Sequence, residues 1–422
     1  MSDAKPALSP EGNVVPVKSL QEFPRTVLGI EVLLHSQCNV LQGMKVGAIL
    51  NPTSLDADLN HLADILHGPA REMGVDLVSL FGPEHGVRGD VQYLEEVEAS
   101  VDSGTGLPAH SLYGKDFASL TPSDDQLKGL DALVFDIQDA GSRYYTYLAT
   151  MSLAMKAAAK HDLKFVVLDR PNPIGGLAVE GGIINPGFES FVGLWPVSAR
   201  HGLTAGETAA MLQRPVDRGG FGIGCELAIV PMLGWRREMH YADTGLPWVM
   251  PSPNMPTPET ALIYPGMCLL EGTNLSEGRG TTRPFELFGA PWIDGFALSQ
   301  ALDAEELTGV RFRPCSFTPT WDKHAKTRCH GVQIHVDDAH VVDAVRLGVA
   351  ALVHARAQDP EKFKWRTEKY EFVDHIPAID LLAGSPRFRA GVEAGQGVAQ
   401  LCADWSAERE SFLARRKLAL LY

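Results

Sequence analysis

The stretch DALVFDIQDAGSRYYTYLATMSLAMKAAAKH (131–161) passes from an apolar run, through a polar loop, into a helix-like segment. Its run Ala132–Ile137 is short, rich in large apolar residues and bounded by polar ones, as suits a parallel strand buried on both faces. Lys45–Leu50, Asp76–Phe81, Phe165–Leu168 and Leu227–Pro231 read the same way. Helix-like stretches at His61–Met73, Tyr147–His161 and Thr204–Leu212 lie between them. Strands alternating with helices predict an α/β fold around an open parallel sheet with right-handed crossovers. Such sheets bind ligands outside the carboxyl ends of their strands. This sequence sets GPEHG (82–86), DIQDAGSRYYTYL (136–148) and DRPNPIGG (169–176) at those ends. That coincidence points to an enzyme.

Working outward, the proline-rich segment LPWVMPSPNMPTP (246–258) suggests a domain junction. A chain of 422 residues is too long for one comfortable core. We expect a first domain over 26–254 and a smaller α/β domain over 255–422. The second would carry a strand at Gly331–Val336 and helices at Asp338–Ala357 and Glu408–Leu420. Residues 1–25 read as a flexible lead-in.

Composition excludes several classes. With 45% hydrophobic and 21% charged residues the chain is ordinary globular material. A net charge of −15 argues against nucleic acid as a partner and against docking on an anionic membrane. The N-terminus lacks the apolar core of a signal peptide, and no run reaches the length of a membrane span. The expectation is a cytoplasmic protein without membrane insertion. Six scattered cysteines without a C-x-x-C pair suggest reduced thiols. The 14 histidines show no metal-ligand spacing, and dinucleotide, Walker and G-x-S-x-G loops are missing, so no metal or cofactor is expected.

The loops carry the chemistry. In GPEHG, Glu84 and His85 stand side by side between glycines; Glu84 either caps a following turn or acts as acid, base or nucleophile. Close backbone approach and two adjacent titratable groups favour catalysis. Asp136 lies within a strand and reads as a partner for buried backbone, whereas Asp139 comes at the strand end. Arg143, Tyr145 and Tyr147 follow, and aromatic faces beside charged groups suit a sugar ring, although one tyrosine of this cluster is expected in the core. DRPNPIGG offers Asn172 for binding. EGTNLSEGRGTTRPFE (271–286) gathers Glu271, Asn274, Glu277, Arg279 and Arg283 among glycines; it reads as a binding loop or as a salt-bridged loop between domains.

Eight motifs occur in order: GPEHG, DIQDAGSRYYTYL, DRPNPIGG, ARHGLTAGE, PMLGWRREM, TGLPW, PSPNMPT and EGTNLSEGRGTTRPFE. Together they resemble the NamZ-type exo-β-N-acetylmuramidases, glycoside hydrolase family 171, formerly a domain of unknown function. The resemblance is strong over about residues 45–295 and looser beyond. It implies a Rossmann-like first domain, a smaller α/β second domain and a cleft between them. It also implies release of N-acetylmuramic acid from the non-reducing end of a small muropeptide or disaccharide. On that footing Glu84 is the first choice for general acid/base, beside His85, and Asp139 ranks above Glu277 for the second role. A substrate-assisted route, with the acetamido group attacking, stays open. Arg143, Arg279 and Arg283 are candidates to pair with the lactyl carboxylate, and His201 and Asn254 to bind hydroxyls. A non-catalytic muropeptide-binding protein is the rival that would not need Glu84.

Overall fold

The computed structural model describes residues 13–14, 25–89 and 100–422. Most of the lead-in therefore lies outside the described residues. The main sheet holds β1 (Asn13–Val14), β2 (Lys45–Leu50), β3 (Asp76–Gly82), β4 (Ser100–Val101), β5 (Pro108–Ser111), β6 (Ala132–Asp136), β7 (Lys164–Leu168) and β8 (Glu226–Val230). Their order is β1-β8-β7-β6-β2-β3-β5-β4, parallel throughout except between β4 and β5. From β2 the chain winds outward through β3 to β5, then restarts at β6 on the other side of β2. This is the doubly wound order of dinucleotide-binding folds, and its crevice lies where the winding reverses, at the carboxyl ends of β2 and β6.

The continuous apolar runs follow from burial on both faces. Val46, Ala48 and Leu50 of β2 join one core with Ala132 and Val134 of β6, while Ile49, Leu133 and Phe135 join the other. The five strands expected from sequence are present. Strand β5 was not foreseen, since PAHS is short, half polar and starts with proline. The helix expected at His61–Met73 is two, Leu62–His67 and Pro69–Glu72. Pro69 disfavours a helical Gly68 and cannot donate into the preceding turn. The helix expected from Asp338 starts at Ala344, capped by the Asp343 carboxylate, and runs to Gln358.

A second, antiparallel sheet holds β9 (Leu287–Ala290), β10 (Val310–Phe317) and β11 (Cys329–Val336), in the order β10-β11-β9. Beside it, helices Pro258–Met267 and Ala344–Gln358 meet backbone to backbone. A Cβ on Gly266 would lie 1.8 Å from the Ala344 carbonyl oxygen, so only glycine permits this crossing. One apolar core runs from Phe135 through Met255 to Leu347 and Phe388, joining the two halves beneath the ligand edge of the main sheet. No helix among the described residues is long and apolar enough to cross a membrane.

Candidate active site

A cleft open to solvent lies beyond the carboxyl ends of β3 and β6. GPEHG enters it directly from β3. His85 and Gly86 both have left-handed backbone, with φ of 74° and 77°, which turns the chain back at once and leaves Glu84 and His85 on the cleft wall. Thr146 Oγ1 donates to Glu84 Oε2 at 3.2 Å, tying that carboxylate to the loop that follows β6.

That loop lays an aromatic floor. Tyr144, Tyr145 and Tyr147 are all buried, yet all line the cleft. Tyr145 packs edge-on against Tyr147 at 5.0 Å and against Tyr264 at 5.8 Å. The Tyr147 hydroxyl donates to the Pro251 carbonyl at 2.5 Å, fixing the PSPN segment that brings Ser252 and Asn254 to the rim. The floor serves core and site together, and the expected split of one core tyrosine from the others does not occur.

The second half of the chain supplies the opposite, charged wall. Arg279 lies 2.6 Å from Glu271, and its Nε is 3.4 Å from Glu277. Lys323 holds Glu277 from the other side at 2.8 Å. The Tyr370 hydroxyl donates to Glu271 Oε2 at 2.8 Å. Burial works against an ionised Glu271, but the Arg279 guanidinium together with the Tyr370 hydroxyl and Lys323 outweighs it and leaves the carboxyl below its ordinary value. Glu371, beside Tyr370, reaches the same cleft; its Oε2 is buried without a hydrogen-bond partner among the described residues. Sequence reasoning missed Glu371. The segment TEKYEFVDH carries no glycine pair or motif to single it out.

Of the residues singled out from sequence, Glu84, His85, Tyr145, Tyr147, Asn254, Glu271 and Arg279 meet in the cleft. The others do not line it. Asp139 is buried behind the floor, where Oδ2 accepts from Gly141 N at 2.7 Å and lies 3.5 Å from His201 Nε2. His201 Nδ1 accepts from Leu203 N, which puts the ring proton on Nε2, facing Asp139. The two thus brace the loops beneath the site. Arg143 donates to the carbonyls of Gly182, Val197 and Leu382, so it staples the halves together and is not placed to read a substrate carboxylate. Both ends of the Asn172 amide are held by protein, Nδ2 donating to Leu203 O of the ARHGLTAGE stretch and Oδ1 accepting from Ile174 N of its own loop. Asn274 likewise clips Lys362 and Lys364 backbone. Glu277 is buried in its ion pairs, and Arg283 is half-exposed beside Glu286. Asp136 pairs with Arg170 at 2.5 Å within the sheet edge, in place of the backbone amides expected for it. Among the described residues, no three metal-ligating side chains cluster.

Comparison with known proteins agrees with this architecture. Residues 46–259 match the family described as exo-beta-N-acetylmuramidase NamZ, N-terminal, and residues 262–422 match its C-terminal counterpart. The peptidoglycan beta-N-acetylmuramidase NamZ of Bacillus subtilis is 43% identical over 94% of this chain and 92% of its own length. Two crystal structures of DUF1343 family proteins from Bacteroides fragilis superpose with TM-scores of 0.83 and 0.74, at 37% and 30% identity. Each comparison covers 94% of this chain and 99% of the other. Matched along both halves and across nearly its whole length, the chain belongs to the exo-β-N-acetylmuramidase NamZ family.

Proposed function

We propose that this protein is an exo-acting glycoside hydrolase. It releases N-acetylmuramic acid from the non-reducing end of peptidoglycan fragments, with Glu84 as general acid/base. The observation that carries the reading is the cleft itself. A carboxyl at the ligand edge of the sheet faces an aromatic floor and a charged wall, in a chain whose Bacillus subtilis relative is a peptidoglycan β-N-acetylmuramidase. Tyrosine faces take the apolar faces of the ring, and Ser252 and Asn254 its hydroxyls. Glu84 protonates the glycosidic oxygen while the C1–O bond breaks and its electron pair passes to that oxygen. Water supplies the hydroxyl that completes the released sugar, and its other proton returns to Glu84.

Of the three arginines considered for the lactyl carboxylate, Arg279 is the one on the cleft wall. Glu271 and Glu277 fix its guanidinium plane, so a lactyl carboxylate entering the cleft would meet a preorganised cation. The Tyr370–Phe372 segment supports the exo reading: Tyr370 reaches Glu271 while Phe372 packs on Tyr113 and Phe191, which ties this part of the cleft wall to the first half of the chain. The test is turnover of an aryl β-N-acetylmuraminide against its N-acetylglucosamine analogue. The muramic glycoside should be cleaved and the analogue nearly untouched. Equal rates would overturn the role of Arg279, and binding without turnover would make this a muropeptide-binding protein.

A further inference from the structure

We propose that Glu371 is the second catalytic carboxyl of this cleft, brought to the same cleft as Glu84 by the Tyr370–Phe372 strap. The inference rests on the glycosidase reading above and assigns a group that reading lacks.

The strap is fastened on both sides of Glu371. Tyr370 is tied to Glu271 through its hydroxyl, and its ring lies under the Arg366 guanidinium at 4.9 Å. The Phe372 ring packs edge-on against Phe191 at 6.1 Å, Tyr113 at 6.2 Å and Phe117 at 6.3 Å, all from the first half of the chain. Between these anchors Glu371 and Phe372 both adopt left-handed backbone, with φ of 45° and 70°. Two consecutive side-chain-bearing residues in that region are unfavourable and persist only where surrounding contacts impose them. The outcome is a carboxyl delivered to the cleft wall with one buried oxygen unbonded. Buried carboxylate oxygens are as a rule paired, so the exception at Glu371 asks for an explanation, as does that at Asp139 Oδ1 behind the floor.

Electrostatics supports a paired role. The cleft holds three carboxyls, with His85 also on its wall. Glu271 is compensated by Arg279, and Arg366 and Arg279 only partly offset what Glu371 experiences. Burial, then the charges of Glu84 and Glu271, push the Glu371 carboxyl up to about 8. Glu371 therefore keeps its proton at neutral pH, beside the other carboxyls of the cleft. A glycosidase needs this division, one carboxyl protonated and one ionised. One of the two carboxyls, Glu84 or Glu371, gives its proton to the glycosidic oxygen as the C1–O bond breaks. The ionised member faces the positive charge growing at C1, and water returns a proton to the pair as its hydroxyl ends on C1.

The experiment compares wild type and Glu371→Gln on aryl β-N-acetylmuraminides across pH, with the unfolding midpoint of each. Wild type is assayed first: if it is inactive, the glycosidase reading fails. With an active wild type, we expect kcat of Glu371→Gln to fall about a hundredfold or more, with KM within roughly threefold. The alkaline limb of its pH profile should be lost or displaced toward acid. Turnover within roughly threefold of wild type, with an unmoved limb, overturns the inference alone. If Glu371→Gln melts below the assay temperature, Glu371→Asp takes its place. A reduced kcat with the limb retained supports the proposal, and an unchanged kcat overturns it.

Discussion

At Glu84, substitution by glutamine keeps size and the Thr146 contact but removes the proton. If Glu84 is the general acid/base, turnover should fall by roughly 10²–10⁴, with binding and the unfolding midpoint little changed. An aryl glycoside with a very good leaving group needs little protonation, so the variant should recover part of its rate there. Equal loss on good and poor leaving groups would show that another group protonates the oxygen. Glu84 was legible because its loop announces itself: glycines, proline and two titratable groups at a strand end. Asp139 shares those credentials yet lies behind the floor, since the Gly141 amide and His201 turn its carboxylate inward. Glu371 had no such credentials. Its position comes from left-handed backbone and from aromatic partners distant in sequence, which no local pattern encodes.

Among the elements, the loop between β6 and helix Tyr147–Lys160 has two jobs, and its residues divide between them. Its tyrosines face the cleft, whereas Arg143 reaches the other way to three carbonyls, one of them in the second half of the chain. Arg143→Met would leave those buried oxygens without their donor, each costing about 1–3 kcal/mol. The expected result is a clearly lower unfolding midpoint, with KM for the muramic glycoside little changed in the fraction that stays folded. A raised KM at an unaltered midpoint would instead return Arg143 to the substrate. Elements defined by their own period, such as β2, β3 and β6, could be read from sequence because burial on both faces writes a continuous apolar run. The second sheet was legible only at β11. In β10 (VRFRPCSF), buried Val310 and Phe312 alternate with exposed arginines, and the signal fades over Pro314–Phe317.

Across the whole molecule, the last residues pack back against the first half of the chain. Leu421 N donates to Glu207, and the Tyr422 hydroxyl donates to Asp169 at 2.7 Å, just beyond β7. Asp169 is buried, and it also accepts from the neutral donors Thr204 Oγ1, Gly206 N and Arg170 N. Burial pushes its carboxyl up to about 6, and those donors limit the rise. In the unfolded chain the same group titrates near about 3.9. Between these values the folded state holds a proton that the unfolded state has released. The stability contributed by Asp169 is therefore full at low pH and is lost as pH rises through about 6. The Tyr422 hydroxyl favours the ionised form, so Tyr422→Phe should push the Asp169 carboxyl higher and deepen that loss. The variant also strands Met232 N, which donates to the same hydroxyl, and that cost does not depend on pH. Denaturant midpoints at pH 5 and pH 8 separate the two terms. The penalty of Tyr422→Phe should be larger at pH 8, by about 1–2 kcal/mol for a buried bond to a charged acceptor. An equal penalty at both pH values would mean that Asp169 keeps its proton throughout, and that the tail is held by packing and by Met232 alone.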